Sequence, residues 1–110
     1  MAVALTPQVP PIAADPDGVL RVSGTRVTVD TIVRAFERGA TPEEIAGQYP
    51  VVPLPDIYAV IAYYLSHRAD IDAYLAARRN AEDEVRAAFR KQQDAAEVRQ
   101  RLLARRAGRA

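Results

Sequence analysis

The sequence predicts a mainly α-helical protein, with an N-terminal β-hairpin, a bundle of three short helices and a long C-terminal helix. Two short segments in which apolar and polar residues alternate are followed by three segments with the periodicity of a helix. Turn or capping residues bound each segment. Large apolar residues (Val, Ile, Leu, Met, Phe and Tyr) number 28 in residues 1–75 but only 5 in residues 76–110. A hydrophobic core can therefore form only in the first part of the chain.

These patterns divide the chain into three parts. Residues 1–11 contain three prolines and are expected to be a flexible N-terminus. Residues 12–68 combine the hairpin and the three helices in a domain of DNA-binding type, whose core is small enough that we expect it to dimerise. Residues 69–110 are expected to form a helical segment that binds a partner, because its few apolar side chains cannot offset the entropy of ordering it.

The hairpin is predicted from two short strands. Asp15 to Gly18 is a strong turn signal, with Asp, Pro and Gly at the first, second and fourth positions. From Val19 to Val22 the side chains alternate between the two faces of a strand. The same alternation returns from Arg26 to Val29, after a turn that contains Gly24. An isolated hairpin is marginally stable, so this one should pack on the helices or extend a sheet with a second subunit.

The first two helices have clear boundaries. Apolar residues at i, i+3, i+4 and i+7 from Val29 give the first helix one apolar face, with Thr28 as its N-cap and Gly39 as its left-handed stop. Thr41 to Glu44 is a capping box with proline at the first helical position. It opens a short helix that runs to about Gln48.

The third and fourth helices follow a proline-rich connection at residues 50–55. The apolar face of the third helix consists of Ile57, Val60, Ile61, Tyr64 and Leu65. From Asp70 onward a single long helix is predicted, because neither Gly nor Pro occurs before Gly108. Beyond Leu75 this helix has only a narrow apolar seam and is expected to fray without a partner.

Charge is balanced overall but unevenly distributed. The chain has 15 Lys and Arg against 14 Asp and Glu, with 5 basic and 7 acidic residues in 1–69 and 10 basic and 7 acidic residues in 70–110. After Val98 there are five arginines and no acid: Arg99, Arg101, Arg105, Arg106 and Arg109. Such a basic segment suits an acidic partner or a phosphate backbone, and the alternative is a solvated terminus.

Several classes of function are disfavoured. The chain has no cysteine, which rules out disulfides, Cys nucleophiles and Cys metal sites. The N-terminus lacks the basic region and long apolar run of a signal peptide, and no stretch approaches the ~20 apolar residues of a membrane span, so we expect a cytoplasmic protein. The only histidine, His67, and the pair Glu43 and Glu44 are explained by helix termini, so no catalytic, cofactor-binding or metal-binding residue is expected.

Four segments together resemble a known family: Gly24-Thr25-Arg26, Gly39 to Ile45, Tyr49-Pro50, and Asp56 to Tyr64. Over about residues 12–75 the chain is similar to the prokaryotic proteins called domain of unknown function 433, which are regarded as VapB-like antitoxins. The resemblance implies a dimeric, three-helical, homeodomain-like or winged-helix-like domain. It also implies a type II toxin–antitoxin pair, whose toxin is typically a PIN-like metal-dependent ribonuclease. The chain departs from the family in having Pro53 where the third helix is often capped by Ser or Thr.

Two functions follow as hypotheses. The first is a non-enzymatic antitoxin that inhibits a PIN-like ribonuclease toxin through its C-terminal helical segment and regulates its own operon by binding operator DNA. The second is a stand-alone dimeric DNA-binding regulator with no toxin. The residues expected to contact the toxin are Val85, Phe89, Val98, Arg99, Arg101, Leu102, Arg105 and Arg106.

DNA binding is expected to use backbone contacts from Arg21, Arg26, Arg34 and Arg38. The third helix occupies the recognition position of a helix-turn-helix, yet it begins near Asp56 and has no Lys or Arg before Arg68. Arg26 is open to two interpretations, a phosphate contact or a structural ion pair with Asp30 or Glu37, since arginine suits both.

Overall fold

A computed structural model describes residues 2–108 and confirms the predicted fold class. Arg109, one of the five arginines noted above, lies outside the described residues. The elements, in chain order, are β1 (Ile12–Ala14), β2 (Leu20–Val22), α1 (Val29–Glu37), α2 (Pro42–Gln48), α3 (Leu54–Ser66) and α4 (Arg68–Ala107). Residues 2–10 have no regular secondary structure.

The chain divides into two compact units, with the boundary after Ile71. We call the described residues of the first unit, 2–71, the head, and those of the second, 72–108, the tail. Helix α4 begins two residues earlier than the sequence indicated, and its first turn belongs to the head.

The hairpin forms around the Asp15 turn. β1 and β2 are antiparallel, with Ile12 opposite Val22. The Asp15 carboxylate accepts hydrogen bonds from the backbone N–H groups of Asp17 (2.9 Å) and Val19 (3.0 Å) and from Arg21 Nε (3.2 Å). The Val19 bond above all, with help from Asp17 and Arg21, holds the pKa of the Asp15 carboxyl below its ordinary value.

The predicted strand at Arg26 to Val29 is wrong. The chain does reverse at Gly24, and the Val22 N–H donates to the Val27 carbonyl at 2.9 Å, but only an isolated bridge between Arg21 and Thr28 forms. The strand cannot continue because the Thr28 side chain accepts from the Thr31 N–H (3.1 Å) and starts α1 at once. The partner of β2 is therefore β1.

The predicted helix boundaries at α1 and α2 are confirmed. Gly39 has a φ of +96° and donates to the Phe36 carbonyl (3.0 Å), while the Ala40 N–H donates to the Ala35 carbonyl (3.1 Å), which together make a Schellman stop. Thr41 and Glu44 exchange side chain to backbone hydrogen bonds of 3.1 Å and complete the capping box. The backbone groups at the end of α1 and at the start of α2 thus form hydrogen bonds within the connection between the two helices.

The core of the head is built from β-branched residues. Each of the three short helices contributes one completely buried isoleucine: Ile32, Ile45 and Ile57. The other buried apolar residues are Val19, Val22, Val29, Val33, Ala35, Val52, Val60, Ile61, Tyr64 and Ile71. Leu65, predicted on the apolar face of the third helix, is instead 51% exposed.

One polar cluster links the end of α1 to the end of α3. The Tyr64 hydroxyl donates to Glu37 Oε1 at 2.8 Å, and Arg68 Nη2 lies 3.4 Å from the same oxygen. The Arg68 guanidinium also stands 5.4 Å from the centre of the Tyr64 ring. Because Glu37 is held by these two residues, it is not the ion-pair partner considered for Arg26.

The hairpin turn should depend on pH through Asp15. Since the pKa of Asp15 is lowered in the folded protein, its stabilisation is fully present above the ordinary aspartate pKa and disappears as the pH falls through the lowered value. We expect Asp15→Ala to lower the melting temperature more at pH 7 than at pH 2.5. Thermal unfolding followed by circular dichroism across this range measures the difference.

Asp15→Asn is the matched control, because it keeps an oxygen for the two backbone bonds and removes the charge that faces Arg21. It should fall between the wild type and Asp15→Ala at pH 7. Equal melting temperatures for all three proteins at pH 7 would contradict this role for Asp15.

Candidate interaction surfaces

The tail exposes every large apolar side chain beyond residue 75. From Asp72 to Gly108 no residue is buried. The exposed fractions are 70% for Val85, 59% for Phe89, 54% for Val98, 59% for Leu102 and 56% for Leu103. A helix with so little buried surface has almost no tertiary stabilisation of its own.

Four of these side chains form two patches, and Leu103 lies on the same side of α4 as Val85. A helix turns about 100° per residue, which places Val85 and Phe89 on one side of α4 and Val98 and Leu102 about 140° away around the axis. We call Ala81, Val85 and Phe89 the middle patch, and Ala95, Val98 and Leu102 the distal patch. A partner that covers both patches of a straight helix must therefore reach around it.

The tail arginines surround the distal patch. By the same helical geometry, Arg101 and Arg105 lie on one side of the Val98–Leu102 line, and Arg99 and Arg106 lie on the other. All four are exposed, and Arg99 lines a shallow groove of about 490 Å³ together with Val98 and Leu102. The distal patch is thus an apolar strip flanked by four arginines, with Asp94 at the N-terminal end of the same groove.

The part of the tail that carries the middle patch is more evenly charged. Arg78 and Glu82 lie 3.8 Å apart, as do Arg86 and Asp83, in two intrahelical ion pairs. Opposite charges at this spacing stabilise an exposed helix slightly. Of the predicted toxin contacts, Val85 and Phe89 therefore share one site, and Val98, Leu102 and the four arginines share another.

The four arginines predicted to bind DNA occupy two places in the head. Arg21 and Arg26 meet at the hairpin, where Arg21 Nη1 donates to the Arg26 carbonyl at 2.8 Å. Arg34 and Arg38 lie one turn apart on α1, Arg34 half-buried and Arg38 exposed. Arg21 is already paired with Asp15. Of the four arginines, Arg26 and Arg38 are the exposed ones.

Arg26 lies beside an open groove of about 620 Å³. Its walls come from the turn after β2, the start of α1 and the end of α2, and the lining residues are Gly24, Thr25, Arg26, Val27, Thr28, Thr31, Tyr49 and Val51. The groove combines hydroxyl groups, an apolar wall and one guanidinium, a mixture that suits a peptide or a sugar–phosphate edge equally.

The outer side of α3 is unsuited to a phosphate backbone. Asp56 is in its first turn, and the Tyr58 hydroxyl donates a short hydrogen bond to Glu43 Oε1 on α2. This bond lowers the pKa of Glu43 and raises that of Tyr58. The side of α3 near its N-terminus is therefore acidic, as the sequence indicated.

His67 serves the end of α3. Its ring stacks on Tyr63 with 4.1 Å between the ring centres, and its Nδ1 lies 3.1 Å from the Tyr63 carbonyl oxygen. Across residues 2–108 no group of three or more His, Asp and Glu residues is arranged to hold a metal ion. None of the described helices is long and apolar enough to cross a membrane.

The structure adds one surface that the sequence reading missed. Leu54, Tyr58, Ala62 and Leu65 lie within about 80° of one another around α3, and we call them the α3 stripe. All four are exposed, with fractions of 38% for Leu54, 47% for Tyr58 and 51% for Leu65. Their spacing of four, four and three residues is visible in the sequence, but it does not distinguish the stripe from the neighbouring buried face.

Two comparisons with known proteins find similarity. A family model described as "Protein of unknown function (DUF433)" matches residues 16–64, which lie within the head. The chain is also similar to the crystal structure of a DUF433 member protein from Anabaena variabilis, with 31% identity and a TM-score of 0.53. This similarity covers 61% of the present chain and 69% of that one. No curated protein matches the sequence significantly.

The Tyr58–Glu43 bond can be tested by titration. Because Glu43 raises the pKa of Tyr58, this bond stabilises the fold below the ordinary tyrosine pKa and is lost as the pH rises through the raised value. We expect Glu43→Gln to lower the pKa of Tyr58 towards its ordinary range. The ring carbon shifts of ¹³C-tyrosine measured by NMR give the titration curve, and Tyr58→Phe identifies the signal. An unchanged curve in Glu43→Gln would show that the bond does not form in solution.

Proposed function

The chain belongs to the DUF433 family of proteins of unknown function, and we propose that it is the antitoxin of a type II toxin–antitoxin pair. Its proposed partner is a PIN-like ribonuclease, which the tail binds and inhibits in the cytoplasm, where such an enzyme meets RNA. The chain itself is proposed to be non-enzymatic. The head is proposed to form a homodimer and to bind operator DNA as an autoregulator.

The observation that carries this proposal is the exposure of the tail. Five large apolar side chains, each more than half exposed, lie on a helical segment with no buried residue from Asp72 to Gly108. Such a segment gains stability by laying its apolar side chains on a partner. The head, in contrast, has its own core and capped helices, so the tail is the part of the chain that most needs a partner.

The charge of the distal patch indicates the kind of partner. A PIN-like nuclease binds Mg²⁺ with clustered carboxylates, and a guanidinium can pair with such carboxylates through two parallel hydrogen bonds. Arg99, Arg101, Arg105 and Arg106 flank Val98 and Leu102, so the apolar strip can anchor the helix while the arginines reach acidic groups beside it. We propose that these arginines compete with metal or substrate in the active site of the toxin.

The middle patch is proposed to act as a separate anchor. Val85 and Phe89 are about 20 Å from the distal patch along the helix axis and face another direction. A toxin that binds both patches must contact two sides of α4 or bind α4 bent in the polar segment between them. The binding free energy then comes from two sites: the apolar middle patch, and the distal patch with its arginines.

The second candidate function is a stand-alone DNA-binding regulator. It is favoured by the head alone, which is compact without the tail and exposes Arg26 and Arg38. In either case we propose that DNA contacts come from these arginines and not from α3, whose N-terminal part carries Asp56 and lies beside Glu43. A neighbouring gene for a small acidic nuclease would favour the antitoxin over the stand-alone regulator.

Removing the tail should release the toxin. We expect truncation after Arg90 to abolish inhibition of a co-expressed nuclease from the neighbouring gene while leaving the head folded. Replacing Arg99, Arg101, Arg105 and Arg106 together with Ala should also restore RNA cleavage, since each charge-assisted contact contributes about 1.5–3 kcal/mol. Cleavage of a labelled RNA by the purified complex measures both effects.

A matched variant separates charge from steric blocking. Replacing the same four arginines with Lys keeps the charge but loses the paired hydrogen bonds, so inhibition should be intermediate. Val85→Ser with Phe89→Ser should weaken binding in a pull-down without altering the charge. Full inhibition by the four-alanine variant would mean that the block is steric, through Val85, Phe89 and Leu102.

Head arginines should affect DNA and not the toxin. We expect Arg26→Ala with Arg38→Ala to weaken binding to a DNA fragment from upstream of the gene by about tenfold, because each phosphate contact supplies part of the electrostatic affinity. Inhibition of the nuclease should be unchanged. Fluorescence anisotropy at two salt concentrations measures the affinity. If the variant binds DNA as tightly as the wild type, these residues are not part of the DNA interface.

A further inference from the structure

We infer that two copies of this chain pair through the α3 stripe, with the two α3 helices antiparallel across a twofold axis. This inference rests on the proposed dimeric state of the head and adds the surface and the orientation. It concerns Leu54, Tyr58, Ala62 and Leu65, which lie outside the core and outside the tail.

The stripe is apolar where the surface of a small domain is usually polar. Leu54, Tyr58 and Leu65 are each between about one third and one half exposed, on a helix whose opposite side already buries Ile57, Val60 and Tyr64 in the core. Val51, just before α3, is 67% exposed and extends the surface at one end. An exposed apolar strip of this length is typical of a contact surface.

When two copies of the stripe run antiparallel, the side chains of one copy fit those of the other. In an antiparallel pair centred between Tyr58 and Ala62, Leu54 of one copy faces Leu65 of the other, and each Tyr58 ring faces the small Ala62. Large side chains opposite small ones allow two helices to approach to about 8–10 Å. A twofold axis repeats each contact, so four side chains make four pairings.

Charge selects the antiparallel orientation. Glu43 is held against Tyr58 near the middle of the stripe, whereas Arg68, beyond the C-terminal end, is already paired with Glu37. A parallel pair would place the two Glu43 carboxylates side by side, at a cost in repulsion. The antiparallel pair instead sets each Tyr58, with the Glu43 that it holds, opposite Ala62 of the partner copy.

The absence of cysteine from the sequence allows a clean test in the full-length chain. Leu54→Cys and Leu65→Cys are made separately, on copies that differ in size through a tag, then mixed and mildly oxidised. In the proposed pair, residues 54 and 65 of different copies face each other, whereas identical residues are about 17 Å apart along the axis, too far for a disulfide. We therefore expect cross-linking in the mixture and none in either variant alone, with Ser23→Cys in the exposed turn as the uncoupled control.

Three outcomes are informative. Cross-linking of each single variant with itself would show a parallel pair and overturn the proposed orientation. A dimer by light scattering with no cross-link in any mixture would show that another surface pairs the copies, such as the tail. A monomer at tens of micromolar would show that the chain does not dimerise, whereas the proposed inhibition of the nuclease by the tail would still stand.

A second measurement checks the surface without disulfides. Leu65→Glu should shift the mass measured by light scattering from dimer to monomer, with at least a tenfold loss of dimer affinity and an unchanged circular dichroism spectrum, because Leu65 is half exposed. Val85→Glu in the middle patch is the matched control and should remain dimeric. A dimer that survives Leu65→Glu but not Val85→Glu would assign self-association to the tail and overturn the proposal.

Discussion

The head depends on the burial of one isoleucine from each of its three short helices. Helices of 9, 7 and 13 residues are too short to be stable alone, so α1, α2 and α3 exist because Ile32, Ile45 and Ile57 are removed from water together. The valines around them are equally stiff, which favours one packing over many. Local caps at Thr28, Gly39 and Thr41 then set where α1 begins and ends and where α2 begins.

The fold class and most helix boundaries could be predicted because they depend on neighbouring residues. The capping box at Thr41 and the Schellman stop at Gly39 are completed within five residues, so the local sequence contains all their partners. The pairing of β2 could not be predicted in the same way. Ile12–Ala14 pairs with one edge of β2, whereas on the other edge Arg26–Val29 makes only the Arg21–Thr28 bridge, because Thr28 caps α1 and the helix begins at once.

The candidate surfaces were only partly visible in the sequence for a related reason. The apolar and basic residues of the tail can be listed from the sequence, but how they divide between the sides of α4 depends on rotation about the helix axis. Helical spacing also predicts Leu65 on the buried face, four residues after Ile61, but Leu65 lies at the edge of that face and is half exposed. The polar cluster of Glu37, Tyr64 and Arg68 joins residues about thirty positions apart, a distance at which sequence spacing carries no signal.

The exposure of the tail also bears on how long each molecule survives. Proteases cut chains that open locally, and a helix with no buried side chain opens at little cost in free energy. Arg and Lys recur from Arg78 to Arg106, so a protease that cleaves after basic residues finds many sites there, whereas the head offers few. A chain whose tail is covered would therefore outlive one whose tail is bare, and the amount of protein present would follow the amount of the proposed partner.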